Sequence, residues 1–532
     1  MLYILTPCHS TDYSMPEYRR PGGFCDALFS LVASVVLITP AASYAESLTR
    51  NEIRQLTAEN TGAAFGLFRD FLSLPNDANY PDDIARMVDW LEPQFRKRGF
   101  ATTRLETGRN PFLVAERPVP GATATLLVYL QADGQPVDPS AWQQEDPYTP
   151  VLKEQATDGT WQRVPWEYLD KNVNEDWRIF ARSASDSKGP MTQFLIALDI
   201  LDAAGLETDF NLKVIVDTEE EKGSPNLAAA VRKHKSLLAA DMLLIFDGPP
   251  HASNGPTVSF GARGIARATL TTYGPRVPQH SGHYGNFIPN PVFHLARIIA
   301  SLKSPDGKVL LPGFYEGIAL DDELKSRLAA VPDDEKQILA NAGIAAADTV
   351  APTLQEALQY PSLNVRGISA AWVGEEARTI IPATATAEID IRLVSESDPQ
   401  YLLGLLKSHI EGLGFYVIDR APTEAERLRE YPIASLVSSV SYAAFRSDFD
   451  AAPGKLARNG MRHLYGEEPI LIRTMGGSIP ISPFVETLGV PAAIVATVNI
   501  DNNQHSPNEN IRVGNFIEGI AILASVLSRS LD

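Results

Sequence analysis

Hydrophobic residues follow two different spacings along the chain, and each spacing predicts a type of secondary structure. Short uninterrupted apolar runs predict buried strands, whereas apolar residues three or four positions apart predict helices. In the outer parts of the chain, the pattern predicts strands at 123–130, 210–216, 242–246 and 492–498. It predicts helices at 191–204, 226–233 and 516–531. Because such strands alternate with helices, we predict a mostly parallel sheet sandwiched by helices.

The middle of the chain is patterned differently. Runs typical of strand, helix, strand, strand, helix and strand follow one another there, at 266–273, 291–302, 365–372, 384–394, 399–413 and 415–419. This order is typical of a ferredoxin-like layer of helices on an antiparallel sheet. We therefore predict an α/β fold in two domains, with residues 262–420 inserted into a first domain that comprises residues 46–261 and 421–532.

The first 45 residues are typical of a secretory signal peptide. Arg19 and Arg20 precede an apolar run at 27–38, and small residues follow up to Ala45. A run of about 12 apolar residues is too short for a bilayer core of roughly 30 Å, so we expect no stable membrane anchor. We expect cleavage after Ala45 and export to the periplasm, with the start codon at Met1 or Met15.

Composition narrows the classes of function. The formal net charge of the 532-residue chain is −19, and an acidic surface repels phosphate backbones, so we expect no nucleic-acid binding. Both cysteines, Cys8 and Cys25, precede the expected cleavage point. The mature chain would therefore use no thiolate as a metal ligand or nucleophile, and no disulfide.

Polar side chains collect near the ends of the predicted strands of the outer sheet, where open α/β sheets bind their ligands. These side chains are Asp133, Asp186, Glu220, Glu221, Asp247 and His505. Carboxylates packed together repel one another and lose hydration unless a cation lies between them. Because carboxylate and imidazole ligands suit zinc, and also manganese or cobalt, the pattern predicts a metal site.

Four segments resemble the di-zinc exopeptidase family (peptidase family M20) of glutamate carboxypeptidase, carnosinase, succinyl-diaminopimelate desuccinylase and aminoacylase. The segments are 133–139, 185–190, 220–224 and 505–509. The resemblance covers nearly all of residues 55–530. It implies that Asp186 bridges two metal ions, that Glu221 and His505 complete one site, and that Asp247 serves the other.

The resemblance also implies a reaction. Glu220 would be the general base that takes a proton from a metal-activated water, and Asp133 would orient a neighbouring ligand. The implied activity is hydrolysis of a dipeptide or an N-acyl amino acid. The implied cofactor is a divalent metal, zinc before others, with one or two ions per chain.

The resemblance also implies roles for residues of the inserted domain and of one loop. His280 resembles the family histidine that helps hold the oxyanion, often in the site of the partner subunit, which implies a homodimer through the inserted domain. Arg392 resembles an arginine that binds a substrate carboxylate. Backbone amides at Gly476, Gly477 and Ser478 would approach the terminal carboxylate of the substrate.

One position departs from the family. Gln131 stands where the family has a histidine that binds the metal shared with Asp247. An amide oxygen is a neutral and weaker zinc ligand, so this second site is weak, empty or filled by a harder metal, unless His251 substitutes. Two hypotheses follow: a metal-dependent amidohydrolase, favoured because Glu220 is retained, and a non-catalytic ligand-binding protein on the same scaffold.

Overall fold

Strands and helices alternate through residues 47–171 and 173–531, the part of the chain that the computed structural model describes. The strands are β1 (Ala101–Leu105), β2 (Phe112–Arg117), β3 (Thr125–Gln131), β4 (Val151–Gln155), β5 (Trp161–Arg163), β6 (Arg178–Phe180), β7 (Asn211–Asp217), β8 (Met242–Phe246), β9 (Thr257–Ser259), β10 (Gly261–Ala262), β11 (Gly264–Tyr273), β12 (Gln279–His280), β13 (Ser362–Ser369), β14 (Ile380–Ile381), β15 (Thr384–Leu393), β16 (Tyr416–Ile418), β17 (Ile433–Tyr442), β18 (Phe445–Arg446), β19 (Ile470–Ile472), β20 (Ala492–Val495) and β21 (Asn510–Arg512). The helices are α1 (Arg50–Leu72), α2 (Pro81–Arg96), α3 (Lys188–Ala203), α4 (Leu227–Lys233), α5 (Lys235–Leu238), α6 (Ser281–Tyr284), α7 (Pro291–Leu302), α8 (Asp322–Ala329), α9 (Glu335–Ala342), α10 (Leu354–Ala357), α11 (Pro399–Gly412), α12 (Glu424–Arg429), α13 (Ala452–Tyr465), α14 (Ser482–Leu488) and α15 (Val513–Leu527). The signal peptide predicted at residues 1–45 lies outside the described residues.

The largest sheet has eight strands in the order β1-β2-β7-β3-β8-β20-β9-β19, and its central strands β7, β3, β8 and β20 are parallel. Side chains of β3 alternate between two cores. Leu126, Val128 and Leu130 pack with α1, α3, α13 and α15, whereas Leu127 and Tyr129 pack on the other face with α4, α5 and α14. Burial on both faces explains the unbroken apolar runs and confirms the predicted sheet.

The second sheet has five strands in the order β13-β15-β11-β17-β16, with α7 and α11 packed on one face. Strand β11 pairs antiparallel with both β15 and β17. The predicted fourth strand at 415–419 is only a short edge strand, β16, and β17, which was not predicted, lies between it and β11. Thus the smaller layer continues beyond the predicted boundary at residue 420.

A four-stranded antiparallel sheet, β21-β6-β4-β5, joins distant parts of the chain. Asn510 on β21 pairs with Phe180 on β6. Because the loops at 181–187 and 499–509 adjoin these two strands, the pairing brings the segments around Asp186 and His505 together. Within residues 47–171 and 173–531, no helix has the length and apolar character needed to cross a bilayer.

Candidate functional site

Three of the predicted ligands form one compact group. Asp186, Glu221 and His505 each offer a ligand atom, and these atoms lie within 4.8 Å of one another. The Nε2 of His505 is 2.9 Å from Oδ2 of Asp186 and 3.4 Å from Oε2 of Glu221. Two carboxylates and an imidazole that converge on one point fit a divalent ion such as zinc.

A short 3-10 turn, Glu220–Lys222, positions two of the acidic side chains after strand β7. Buried Asp133 holds this turn, because its carboxylate accepts hydrogen bonds from the backbone N–H groups of Glu220 and Glu221, at 3.0 and 3.1 Å. Asp133 therefore orients the backbone of Glu221, one of the predicted ligands.

Glu509 supports the segment that carries Asp186, and sequence reasoning assigned it no role. Its carboxylate accepts hydrogen bonds from the backbone N–H groups of Ser183, Ser185 and Asp186 at 2.9–3.0 Å, and from Arg182 Nη1 at 2.7 Å. Both members of the Arg182–Glu509 pair are almost fully buried. One indication of this role was present in the sequence, because Glu509 lies in the same short motif as His505.

The side chains around Asp247 form hydrogen bonds with one another. Gln131 Nε2 donates to Asp186 Oδ1 at 2.7 Å and to Ser187 Oγ at 2.9 Å. Ser187 Oγ donates in turn to Asp247 Oδ1 at 2.8 Å. Hydrogen-bond donors thus face the carboxylates at the second site, which the family resemblance implies and which Gln131 had put in doubt, and this set of residues does not fit a second cation.

His251 is not a substitute ligand, contrary to one of the sequence-based alternatives. Its Nε2 lies 3.0 Å from Oδ1 of Asp333, and its Nδ1 lies 2.9 Å from Oγ of Ser253. Because both ring nitrogens of buried His251 are engaged there, neither is available to a metal shared with Asp247.

The acidic groups hold protons strongly in the absence of a cation. Burial and the neighbouring Asp186 raise the pKa of Glu221 to about 10 and that of Asp247 to about 7. Burial and the charge of Glu221 raise the pKa of Glu220 well above its ordinary value. The hydrogen bond to Asp186 raises the pKa of His505. A divalent ion would relieve this repulsion.

The predicted carboxylate-binding residues meet beside the acidic cluster. Arg392 Nη1 donates to Ser478 Oγ at 2.8 Å, and Arg263 donates its backbone N–H to the carbonyl of Gly477. Tyr442 joins them: burial and then the charge of Glu220 raise its pKa to about 12. Sequence reasoning missed Tyr442 because it ends a strand that was not predicted.

His280 lies apart from this group in the described chain. It is exposed on β12, and its Nδ1 accepts a hydrogen bond from the backbone N–H of Gly282 at 3.0 Å. Its ring centroid is 4.5 Å from that of His283. Gly476, in the glycine-rich loop, approaches the side chain of Leu358. These contacts of His280 and Gly476 do not include the predicted ligands Asp186, Glu221 and His505.

Comparison with known proteins identifies the family. The pattern of Peptidase family M20/M25/M40 matches residues 151–529. The Cys-Gly metallodipeptidase dug1 of Schizosaccharomyces pombe is 24% identical over 470 residues, which cover 85% of this chain and 92% of the relative. Human Beta-Ala-His dipeptidase is 25% identical over 422 residues, with 78% and 76% covered.

Solved structures agree with these sequence relatives. The M20 family metallo-carboxypeptidase Sso-CP2 from Sulfolobus solfataricus superposes with a TM-score of 0.72 at 26% identity, covering 87% of this chain and 98% of that one. The di-peptidase Dug1p from Saccharomyces cerevisiae superposes with a TM-score of 0.69 at 21% identity, covering 90% and 98%. The family pattern matches well over half of the chain, and the protein therefore belongs to Peptidase family M20/M25/M40.

Proposed function

We propose that the protein is a metal-dependent dipeptidase that cleaves small substrates with a free terminal carboxylate. The observation that carries the proposal is the convergence of Asp186, Glu221 and His505 beside Glu220. Relatives named Cys-Gly metallodipeptidase and Beta-Ala-His dipeptidase support a dipeptide substrate. N-acyl amino acids have the same carboxylate beside an amide and form the second substrate class to test.

In this proposal, separate residues bind the metal ion and transfer the proton. A divalent ion held by Asp186, Glu221 and His505 would lower the pKa of water and polarise the scissile carbonyl. Glu220 takes a proton from the attacking water and passes it to the leaving amine. The burial that raises the pKa of Glu220 suits the first of these steps, because a carboxylate that retains protons more readily is a stronger base.

Arg392 and Ser478 orient the substrate. The guanidinium of Arg392 can pair with the terminal carboxylate of a dipeptide through two parallel hydrogen bonds, and Ser478 already accepts one of its N–H groups. Such positioning places the scissile amide at a fixed distance from Glu220, which is a large part of how enzymes lower reaction barriers.

Replacing Glu220 with Gln tests the base. We expect kcat on Cys-Gly or β-Ala-His to fall roughly 10²–10⁴-fold, because an amide cannot accept the proton. Metal content should stay unchanged, and the variant should remain folded. The exposed Glu207→Gln variant is the matched control. An active Glu220→Gln enzyme would refute the assigned base, and a chelator without effect on hydrolysis would refute the metal mechanism.

The alternative of a non-catalytic ligand-binding protein rests on Gln131 alone. The two curated relatives described above are named as dipeptidases and give it no support. Tight binding of a dipeptide panel without any product, detected by mass spectrometry, would be needed to restore it.

We further propose that the protein is a homodimer that associates through the layer built on the five-stranded sheet. Large apolar side chains are exposed in this part of the chain, among them Phe287, Phe293 and Val373. Single exposed apolar residues are common, but several large ones exposed in one part of a chain favour an interface there. Light scattering should give twice the chain mass, and Phe293→Asp should shift the protein towards the monomer.

Export is a separate proposal. We propose that residues 1–45 direct secretion and are removed after Ala45. Relatives from yeasts and mammals give no support to the periplasm as the destination. N-terminal sequencing of the protein from fractionated cells should begin at Glu46, and an intact N-terminus would contradict the proposal.

A further inference from the structure

Hydrogen-bond donors occupy the gap between two carboxylates next to the metal-binding group. Gln131 is 2% exposed, and its amide nitrogen lies 2.7 Å from Asp186 and 3.4 Å from Asp247. Ser187 is fully buried and lies 2.8 Å from Asp247 and 3.1 Å from Asp186. The two side chains therefore connect Asp186 to Asp247 by a continuous hydrogen-bond bridge.

The orientation of the Gln131 amide is determined by its neighbours. Its nitrogen faces carboxylate oxygens, which accept hydrogen bonds, whereas its buried Oε1 has no hydrogen-bond partner among the described residues. A rotation that exchanged the two atoms would place Oε1 against the Asp186 carboxylate and leave the nitrogen without an acceptor. Because a repulsive contact would replace a charge-assisted hydrogen bond, the observed orientation is the favourable one.

The ligands available at this position are also too few for a second ion. Asp247 is not part of the three-residue ligand group found in the described chain. His251, which follows it, is held by Asp333 and Ser253. That leaves two carboxylates, and N–H and O–H groups already point at both of them.

We propose that this chain binds a single divalent ion, at Asp186, Glu221 and His505, and that Gln131 and Ser187 replace a second ion. The hydrogen-bond bridge holds Asp186 and Asp247 together. In a site with two cations, the ions would hold these two carboxylates together instead. The inference rests on the metal site of the proposed function, but it concerns the number of ions and not the substrate.

Metal stoichiometry tests the inference without any measurement of turnover. The full chain is equilibrated with zinc, separated from free ions on a chelating resin and analysed for metal and protein. We expect one ion per chain in the parent protein and two in Gln131→His, which restores an imidazole ligand. The exposed Gln143→His variant adds a histidine elsewhere and should keep one ion.

A second pair of variants keeps the test valid if Gln131→His fails to fold. Asp247→Asn should still bind one ion, whereas His505→Ala should lose it. With cobalt in place of zinc, electron paramagnetic resonance should show an isolated high-spin ion in the parent. Two tight ions in the parent, a spin-coupled cobalt pair, a folded Gln131→His variant with one ion, or loss of the ion in Asp247→Asn would each overturn the inference.

The same measurements separate this inference from the proposed function. A parent that binds one ion but hydrolyses no dipeptide would leave the inference intact and refute the function. A parent that binds two ions and hydrolyses dipeptides would support the proposed function and refute the inference of a single ion.

Discussion

Glu509 is a buried carboxylate that supports Asp186, one of the predicted metal ligands. It receives hydrogen bonds from Arg182 and from three backbone N–H groups, one of which belongs to Asp186. Burial raises the pKa of Glu509, and the guanidinium of Arg182 counteracts this shift. The carboxylate thereby fixes the position of Asp186 relative to His505.

We expect Glu509→Gln to damage both stability and metal binding. The substitution leaves the buried Arg182 without a counter-charge, which typically costs about 3–5 kcal/mol. Loss of the support behind Asp186 should weaken zinc binding roughly 10–100-fold. Urea unfolding and a zinc titration against a competing chelator measure the two effects. The exposed Glu467→Gln variant should change neither, and an unaltered zinc affinity in Glu509→Gln would contradict the supporting role.

Arg392 permits a second test at the scale of a single side chain. Arg392→Lys retains the charge but loses the planar pair of donors that matches a carboxylate. We expect KM for a free dipeptide to rise roughly tenfold, the equivalent of about 1.4 kcal/mol. The same dipeptide with an amidated C-terminus should show little difference between the two enzymes. An equal loss on both substrates would show that Arg392 does not bind the carboxylate.

At the scale of elements, residues 331–360 connect the smaller layer to the loops of the site. Asp333 contacts His251 and accepts a hydrogen bond from Gln355 Nε2 at 2.9 Å. Gln359 Oε1 accepts hydrogen bonds from Arg473 Nη1 at 2.7 Å and from Thr474 Oγ1 at 3.3 Å. This segment therefore holds the chain just before the glycine-rich loop.

We expect Gln359→Ala to loosen that loop. Arg473 and Thr474 would lose the acceptor that orients them, and backbone amides at Gly476 and Gly477 would be less well placed for a carboxylate. KM should rise a few-fold while kcat changes little, since Glu220 and the metal ligands are untouched. Steady-state kinetics and limited proteolysis provide the measurements, with exposed Gln337→Ala as the control. A fall in kcat alone would contradict this role.

The buried parallel strands could be predicted from sequence because their apolar runs are continuous. Strand β8 has the predicted bounds, and helix α7 does as well. Strand β17 could not be predicted, since serines interrupt its apolar pattern and its burial changes from buried to exposed along its length. Its pairing with β11, more than 150 residues earlier, supplies the stability that the local pattern lacks.

The site divides in the same way. Asp186, Glu221 and His505 could be named from the sequence, because they lie near the ends of predicted strands and in segments that resemble motifs of the family. The hydrogen-bond bridge at Gln131 and the support from Glu509 could not be predicted, because both depend on packing between residues far apart in sequence. Arg182 and Glu509, for example, are separated by 327 positions.

For the whole molecule, the raised pKa values of the buried carboxylates predict that stability depends on pH and, through the proposed ion, on metal. Asp247 has its pKa raised to about 7 and Glu221 to about 10, whereas both groups titrate near 4 in an unfolded chain. The metal-free folded protein therefore binds more protons than the unfolded chain above about pH 4, and its stability falls as pH rises towards those values. The raised pKa of His505 acts in the same direction.

Metal binding should reverse this dependence, because the ion takes the place of the protons. We expect the difference in Tm between zinc-loaded and chelated protein to widen from about pH 5 to about pH 8. Scanning fluorimetry across this pH range measures the difference in Tm.

The net charge of −19 also destabilises the fold as carboxylates ionise, so the controls must remove equal charge. In chelated protein, Asp247→Asn should flatten the fall in Tm up to about pH 7, whereas exposed Asp170→Asn should not. A constant Tm difference across the range, or equal effects of the two variants, would show that surface repulsion and not the buried site sets the pH dependence.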